Sequence, residues 1–369
     1  MEEHNIGVAT TADWTAPDTN TPDPHARRQR RPTHLPCADA VGSQRGPSGL
    51  IRGDMRRLTP SLWIRAALTT AAAGCLLTTT SGCSLQKLTA DQSASLMAAG
   101  SPALNRESDL QFAREAFPAS LKTMEVFLLN TPENSELLLL LAQGYSSYAF
   151  AFIEGDLEAA QLQGTEEEVQ DLTRRAVLHY MRGRTYGFML LDFEKLRDAA
   201  LAGDLTRTRE LLRNTDKEDV PGLFWSAYGW ISAINLSQDN PDMVAALPIV
   251  EAIINRVIAL DPDYMGGLPH IMMGVYHASR PPMFGGKPEE ARKHFEIAMK
   301  RHGNANLLAP FMFGRFYAPH SQDRALFNKM MAQVLDAKVE DYPDMRLNNE
   351  VARQRARFWT ANADEIFFE

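Results

Sequence analysis

From Cys83 onward, apolar residues recur at three- and four-residue steps, and no alternating run of Val, Ile or Thr bounded by turn residues interrupts them. A chain with that period hides its apolar side chains in one way, as helices packed stripe against stripe. Ala, Leu, Glu, Arg and Met, all compatible with helix, dominate the same region. The fold class read from the pattern is all-α.

Prolines and glycines punctuate the pattern. Residues 84–102 read as a tether and a first short helix. Leu104 to Asn130 reads as two helices, or as one kinked at Pro118. LLLLLAQGYSSYAFAFIEGD, from Leu137, reads as a buried helix. Gly155 to Gln170 (GDLEAAQLQGTEEEVQ) reads as a polar linker into a helix over Asp171–Phe188, its Glu166-Glu167-Glu168 run sitting at the positive end of a helix.

A weak internal repeat is anchored by Pro132 and Pro262. LLNTPENSELLLLLAQG places Gly144 twelve residues after Pro132, and IALDPDYMGGLPHIMMG places Gly274 twelve residues after Pro262. In each copy a helix ends, a proline precedes the next, and a glycine on that next helix permits close contact. After the second copy, Gly285 and Gly286 form a turn and Pro288 opens a helix. Ala291, Phe295 and Ala298 then match the A-x3-F-x2-A spacing of the second helix of a tetratricopeptide unit. The small alanines let two helices approach, and Phe295 fills the groove between them. One such unit cannot bury its own face, so neighbours must stack on it. The expected architecture is a tetratricopeptide-like helical repeat array, an α-α superhelix, over residues 103–369.

GLFWSAYGWISAINLSQDNPD carries Phe224, Trp225, Tyr228 and Trp230 within seven residues, on more than one helical face. Such a helix is wholly buried, or one or two of its rings line a cavity for an apolar ligand. Phe224, Trp225, Tyr228, Trp230 and, from the later turn, Phe284 are the candidate cavity residues.

The N-terminal quarter reads differently. MRRLTPSLWIRAALTTAAAGCLLTTTSGCS, Met55 to Ser84, has a cationic start, a short apolar run over Ala66–Thr79 and small residues before Cys83. The run is too short for a transmembrane helix, which takes roughly 20 apolar residues. Thr80-Ser81-Gly82-Cys83 resembles a bacterial lipobox, departing from it at Thr80, where Leu is usual. Cleavage before an acylated Cys83 makes 55–82 a lipoprotein signal and 83–102 a lipidated tether. Ala72-Ala73-Gly74-Cys75 is a rival site, and a plain signal peptide is the blander reading. Stable anchoring takes two or more acyl chains. Ser84, rather than Asp, after the Cys favours outer-membrane sorting. Residues 1–54 are rich in Pro, Thr and Arg without hydrophobic period, a composition that cannot bury a core. They read as a misassigned extension upstream of a start at Met55, or as a disordered tail.

Composition narrows the function. The whole chain carries 38 Lys and Arg against 46 Asp and Glu, net −8; residues 1–82 hold nine and seven of these, which leaves −10 for the remainder. An acidic chain without a basic patch argues against a nucleic-acid partner. Of three cysteines, Cys37 and Cys75 fall before the expected cleavage site, so no disulfide and no thiol catalyst remain. His270 and His277 share a helical face with His294 and His302 nearby, yet no zinc-binding or metalloprotease spacing accompanies them, and they read as structural. No nucleophile elbow, phosphate loop or dinucleotide fingerprint is present. Gly285-Gly286-Lys287 reads as a turn, and Asp261-Pro262-Asp263 as a helix break. No catalytic residue, metal or cofactor is expected, and the chain does not read as an enzyme.

Three stretches carry a resemblance together: FWSAYGWISAINLSQD, ALDPDYMGGLPHIMMGVYHASRPPMFGGKPEEARKHFEIAMKRHGNANLL, and RLNNEVARQRARFWTANADEIF. With the lipobox upstream, the chain from Cys83 to about Phe368 resembles the TatT family, the T-component lipoproteins associated with tripartite ATP-independent periplasmic (TRAP) transporters. The resemblance implies a tetratricopeptide-like array, tethered by lipid to the periplasmic side of the envelope. It implies a homotrimer with a central pore, an apolar cavity in each subunit, and a periplasmic substrate-binding P-component as partner. It carries over no catalytic residue. Asn348, Asn349 and Arg355 in the third stretch read as structural polar groups that need partners. The expected function is an accessory component that docks the substrate-binding protein and holds a hydrophobic or organic-acid ligand. A ligand-carrier lipoprotein or an envelope-assembly scaffold without a transport role is the alternative.

Overall fold

A computed structural model describes residues 82–280, 282 and 285–367. The expectations for residues 1–54 and for the signal segment before Gly82 lie outside these, as do Phe284 and the side chain of Cys83. Among the described residues all regular structure is helical, in keeping with the all-α reading.

Helices α1 (Gly82–Asn105) and α2 (Leu110–Leu128) come first. Helix α3 (Ser135–Tyr148) widens into a π-turn (Ala149–Ile153) and continues as α4 (Glu154–Gln163). Helix α5 (Glu166–Leu190) is followed by α6 (Glu194–Leu201), α7 (Leu205–Leu212) and the aromatic α8 (Val220–Asn235). Helices α9 (Leu247–Leu260), α10 (Tyr264–Ala278) and α11 (Pro288–His302) precede a short α12 (Leu308–Met312), which opens into a second π-turn (Phe313–Tyr317). Helices α13 (Arg324–Asp336) and α14 (Arg346–Ala361) complete the set.

Local chemistry sets many of these boundaries. Asp109, Asn134, Thr165, Asp204 and Asp323 each accept a backbone N–H from the first turn of the following helix. Each such cap stabilises its helix by about 1 kcal/mol. Helix α2 passes through Pro118 as one element, one of the two readings of that stretch. Two expectations change. The segment read as a tether and a first short helix is one helix, because α1 runs from Gly82 to Asn105. The polar linker at Gly155–Gln170 is instead the end of one helix and the start of the next, broken only at Gly164 and Thr165. Leu157 and Ala160 are buried there, and Glu158 is buried against an arginine 197 residues away, a partner that local polarity does not reveal.

Neighbouring helices pack in chain order: α2 on α3, α3 on α5, α5 on α8, α8 on α9, and α10 on α11. Two of the contacts are unusually close. Helices α5 and α8 run antiparallel, with Gly187 against the backbone of Ser226 and Gly229 against the carbonyl of Tyr180. The two repeat glycines behave as their spacing predicts. A Cβ on Gly144 would lie 2.5 Å from Leu121, and one on Gly274 would lie 2.8 Å from the ring of Phe295. Phe295 is fully buried between Ala291 and Ala298, also buried. The second repeat copy departs from the first at its start, where Met265, Gly266 and Gly267 all take positive φ.

The last helix returns to the first ones. Helix α14 packs on α1 and α2 and on the α12 region. The run Ser135–Gln163 is apolar enough to match a membrane span by composition. It is instead central to the fold, with Leu137, Leu141 and Ile153 buried and α14 paired to its far end.

The glycine contacts make a stability prediction. Gly229→Ala drives a methyl group into the carbonyl oxygen of Tyr180, and overpacking of this kind costs about 1–3 kcal/mol. Gly155 lies in α4 with nothing near its absent Cβ, so Gly155→Ala is expected to be neutral or to stabilise by up to about 1 kcal/mol. Urea denaturation of the two variants checks the contrast; equal midpoints contradict it.

Candidate functional site: a cavity closed by buried ion pairs

Four helices turn one stripe each toward a common cavity of about 220 Å³. Leu157 comes from α4, Ile231 from α8, Leu268 and Met272 from α10, and Leu308 and Met312 from α12. The spacing within each stripe is three or four residues, so the cavity is the face left over when successive helices pack side by side. Exposed Gln161 and Gln238 lie at its mouth.

One wall is ionic. Arg355 of α14 is 4% exposed at its side chain. It donates Nε to Glu158 Oε2 at 2.9 Å and Nη2 to Glu158 Oε1 at 2.8 Å. Nη2 also reaches Glu154 Oε2 at 3.3 Å, and Nη1 reaches the Phe150 carbonyl at 3.4 Å. The guanidinium lies 4.6 Å from the Phe150 ring centre and 5.3 Å from that of Phe311. Burial alone would lower the arginine's pKa, but the two glutamates more than offset it and raise it. Glu154 also accepts from the Tyr180 hydroxyl. Burial still pushes the Glu154 carboxyl above the usual range, against the pull of Arg355 and Tyr180. The hydroxyls of Tyr180 and Tyr228 are pushed up by the same burial, with Glu154 adding to it.

Arg315 stands on the same wall. Its Nε lies 3.7 Å from Glu158 Oε1, and its guanidinium rests 3.8 Å from the Trp359 ring centre. Burial lowers its pKa. Arg315 belongs to the π-turn after α12, and Phe150 to the π-turn after α3. Such widened turns rotate a helix face out of its regular register and are frequent at functional sites. Here the two π-turns bring Arg315 and the Phe150–Glu154 segment to one cavity.

Of the candidate cavity residues, Tyr228 lines the space. Phe224 and Trp225 are buried away from it, edge to face at 5.1 Å, with Trp225 Nε1 donating to the Tyr264 hydroxyl. Trp230 packs on the opposite side of α8 against Phe188, beneath the Arg184 guanidinium. These three rings fill helix contacts, because α8 is enclosed on nearly all its faces. Asn349 finds the partners a packed helix demands: its Oδ1 accepts from Leu307 N and its Nδ2 donates to the Ala305 carbonyl. Arg315, Glu154 and Glu158 were not among the sequence candidates. A signal for them exists, since Arg315 is the lone charge inside FMFGRFY and Glu154 ends the apolar run AFAFI.

The histidines form a second, separate cluster. His270 Nδ1 and His294 Nδ1 are 2.9 Å apart, so one donates and the other accepts. His277 stacks on His294 at 6.0 Å. Among the described residues, no group of three or more His, Cys, Asp or Glu side chains could hold a metal ion.

A sequence profile of the TRAP transporter T-component family matches residues 106–367. The chain belongs to this family. It is also 25% identical to an uncharacterized protein of Treponema pallidum (strain Nichols) over 266 residues, 71% of this chain and 82% of that relative. The matched span includes every residue of the cavity and its ionic wall. A T-component is an accessory part of a transporter, of a family not known as enzymes, and membership points to the periplasm or cell envelope.

The histidine cluster predicts acid sensitivity. Burial first, and then neighbouring positive charge, holds His270 and His294 down at about 4. The unfolded chain therefore binds more protons than the folded one between the ordinary histidine value of about 6.5 and about 4. Stability is fully present above that window and is lost as pH falls through it. The urea midpoint is expected to fall from pH 7 to pH 4.5, and less steeply in a His270→Gln/His294→Gln variant. An unchanged slope in that variant contradicts the assignment.

Proposed function

We propose that this T-component is a lipid-anchored accessory protein that docks a periplasmic substrate-binding protein and holds a hydrophobic or organic-acid ligand in its central cavity. Acylated Cys83 tethers the chain to the outer membrane, facing the periplasm. The helical hairpins stack as a tetratricopeptide-like array, and three copies assemble. The observation that carries the ligand part is the cavity itself, lined by apolar stripes from four helices and closed by a buried ionic wall. The antiparallel α10–α11 pair, with Gly274 seated on Phe295, supports the repeat reading. Family membership supports the transporter role.

The cavity also favours a second reading, a ligand-carrier lipoprotein that works without a docked partner. Native mass spectrometry of the protein extracted gently from its own membranes separates the two. The expected species is a chain beginning at acylated Cys83, in a complex that contains a substrate-binding protein. A lone chain that carries a small apolar molecule contradicts docking and leaves the carrier reading.

A further inference from the structure

The ionic wall of the cavity is unevenly satisfied. Glu158 gives both oxygens to Arg355. Glu154 gives one oxygen to Tyr180 and the other to Arg355. Arg355 in turn has carboxylate or carbonyl partners for Nε and for both terminal nitrogens. The remaining charged group on the wall is Arg315, and no hydrogen bond to it is present among the described residues. Its Nε is buried without an acceptor, and its contact to Glu158 is long, at 3.7 Å. Its side chain keeps 20% of its surface open, and it lines the cavity. A guanidinium offers five N–H donors in a planar fork and does not lose its proton in proteins. Buried donors of that strength without acceptors are rare in folded proteins.

We propose that Arg315 is the anchor for a single ligand carboxylate, and that the cavity takes amphipathic monocarboxylic acids, head group on Arg315 and tail along the apolar stripes. This rests on the ligand-holding part of the proposed function. The Trp359 ring beneath the guanidinium fixes the plane of the fork, so that a carboxylate can meet it with two parallel hydrogen bonds. The tail then lies against Leu157, Ile231, Leu268, Ile271, Met272 and Val275.

The charge balance limits the head group to one negative charge. The wall already holds two glutamates against two arginines, so a dianion such as a phosphate monoester would add two charges beside Glu158. A monocarboxylate adds one. Glu154, whose carboxyl burial already favours in the protonated form, can take up a proton to restore the balance. A wholly apolar ligand offers the guanidinium no acceptor.

Isothermal titration of the intact protein with decanoate and with decanol tests the assignment. The two probes share a tail and differ in the head group. Decanoate is expected to bind the wild type about ten-fold or more tighter than decanol. Arg315→Gln should remove that preference and leave decanol binding within about two-fold, while Arg315→Lys keeps part of it, as a point charge without the fork. Circular dichroism confirms that each variant is folded. Equal affinity for the two probes in the wild type, or a decanoate preference that survives Arg315→Gln, overturns the anchor and leaves an apolar cavity standing. Binding of neither probe overturns the ligand-holding reading as well.

Discussion

The contact on which the rest of the arrangement depends is the buried pairing of Arg355 with Glu158 and Glu154. Helices that pack each on its neighbour in chain order leave the first and last of them apart unless some contact joins them. Here the last helix is drawn back to the early ones, and the ion pair joins α14 to α4. Removing charges from water costs several kcal/mol per ion, which mutual attraction repays only when the geometry is good and the remaining lone pairs are used. Both conditions hold: the pair is bidentate, and Tyr180 and the Phe150 carbonyl take up the remaining valences. The consequence is a wall. The four charged side chains line one side of the cavity.

That wall works only because the helices behind it are close together and the turns in front of it are widened. Glycines at α5–α8 bring two backbones near enough that a methyl group would not fit, and Gly274 leaves room for the Phe295 ring between α10 and α11. The two π-turns then shift the register, so that Phe150 and Glu154 on one side and Arg315 on the other face the same space. The result is a cavity with apolar walls and one polar side, the ordinary composition of a small-molecule site.

Much of the fold was legible in the sequence, and the reasons are local. The helical period, the acidic run Glu166–Glu168 at a helix start, the turn at Gly285 with Pro288 behind it, and the buried set Ala291, Phe295 and Ala298 are all short-range signals. Gly144 and Gly274 were legible through their repeated spacing. The linker read at Gly155–Gln170 was wrong because Glu158 looks like a surface charge until Arg355 is seen across the fold. The cavity was harder to read for a related reason. A run of aromatics such as that in α8 marks a crowded helix, and crowding is served by neighbouring helices as readily as by a ligand. Phe224, Trp225 and Trp230 are used in that way, and only Tyr228 turns inward. The arginines of the cavity lie 157 to 201 residues from the glutamates they face, and nothing in a single sequence joins them.

A double-mutant cycle on Arg355 and Glu158, read by urea denaturation, tests most directly whether this contact holds the last helix to the early ones. If the pair makes that join, Arg355→Ala costs about 3–5 kcal/mol, because it leaves Glu158 buried without its partner, and Glu158→Ala costs less, because Arg355 keeps Glu154. The double variant then costs far less than their sum. If the two losses add to within about 0.5 kcal/mol, the residues are energetically independent. The ionic wall would then be incidental to the fold.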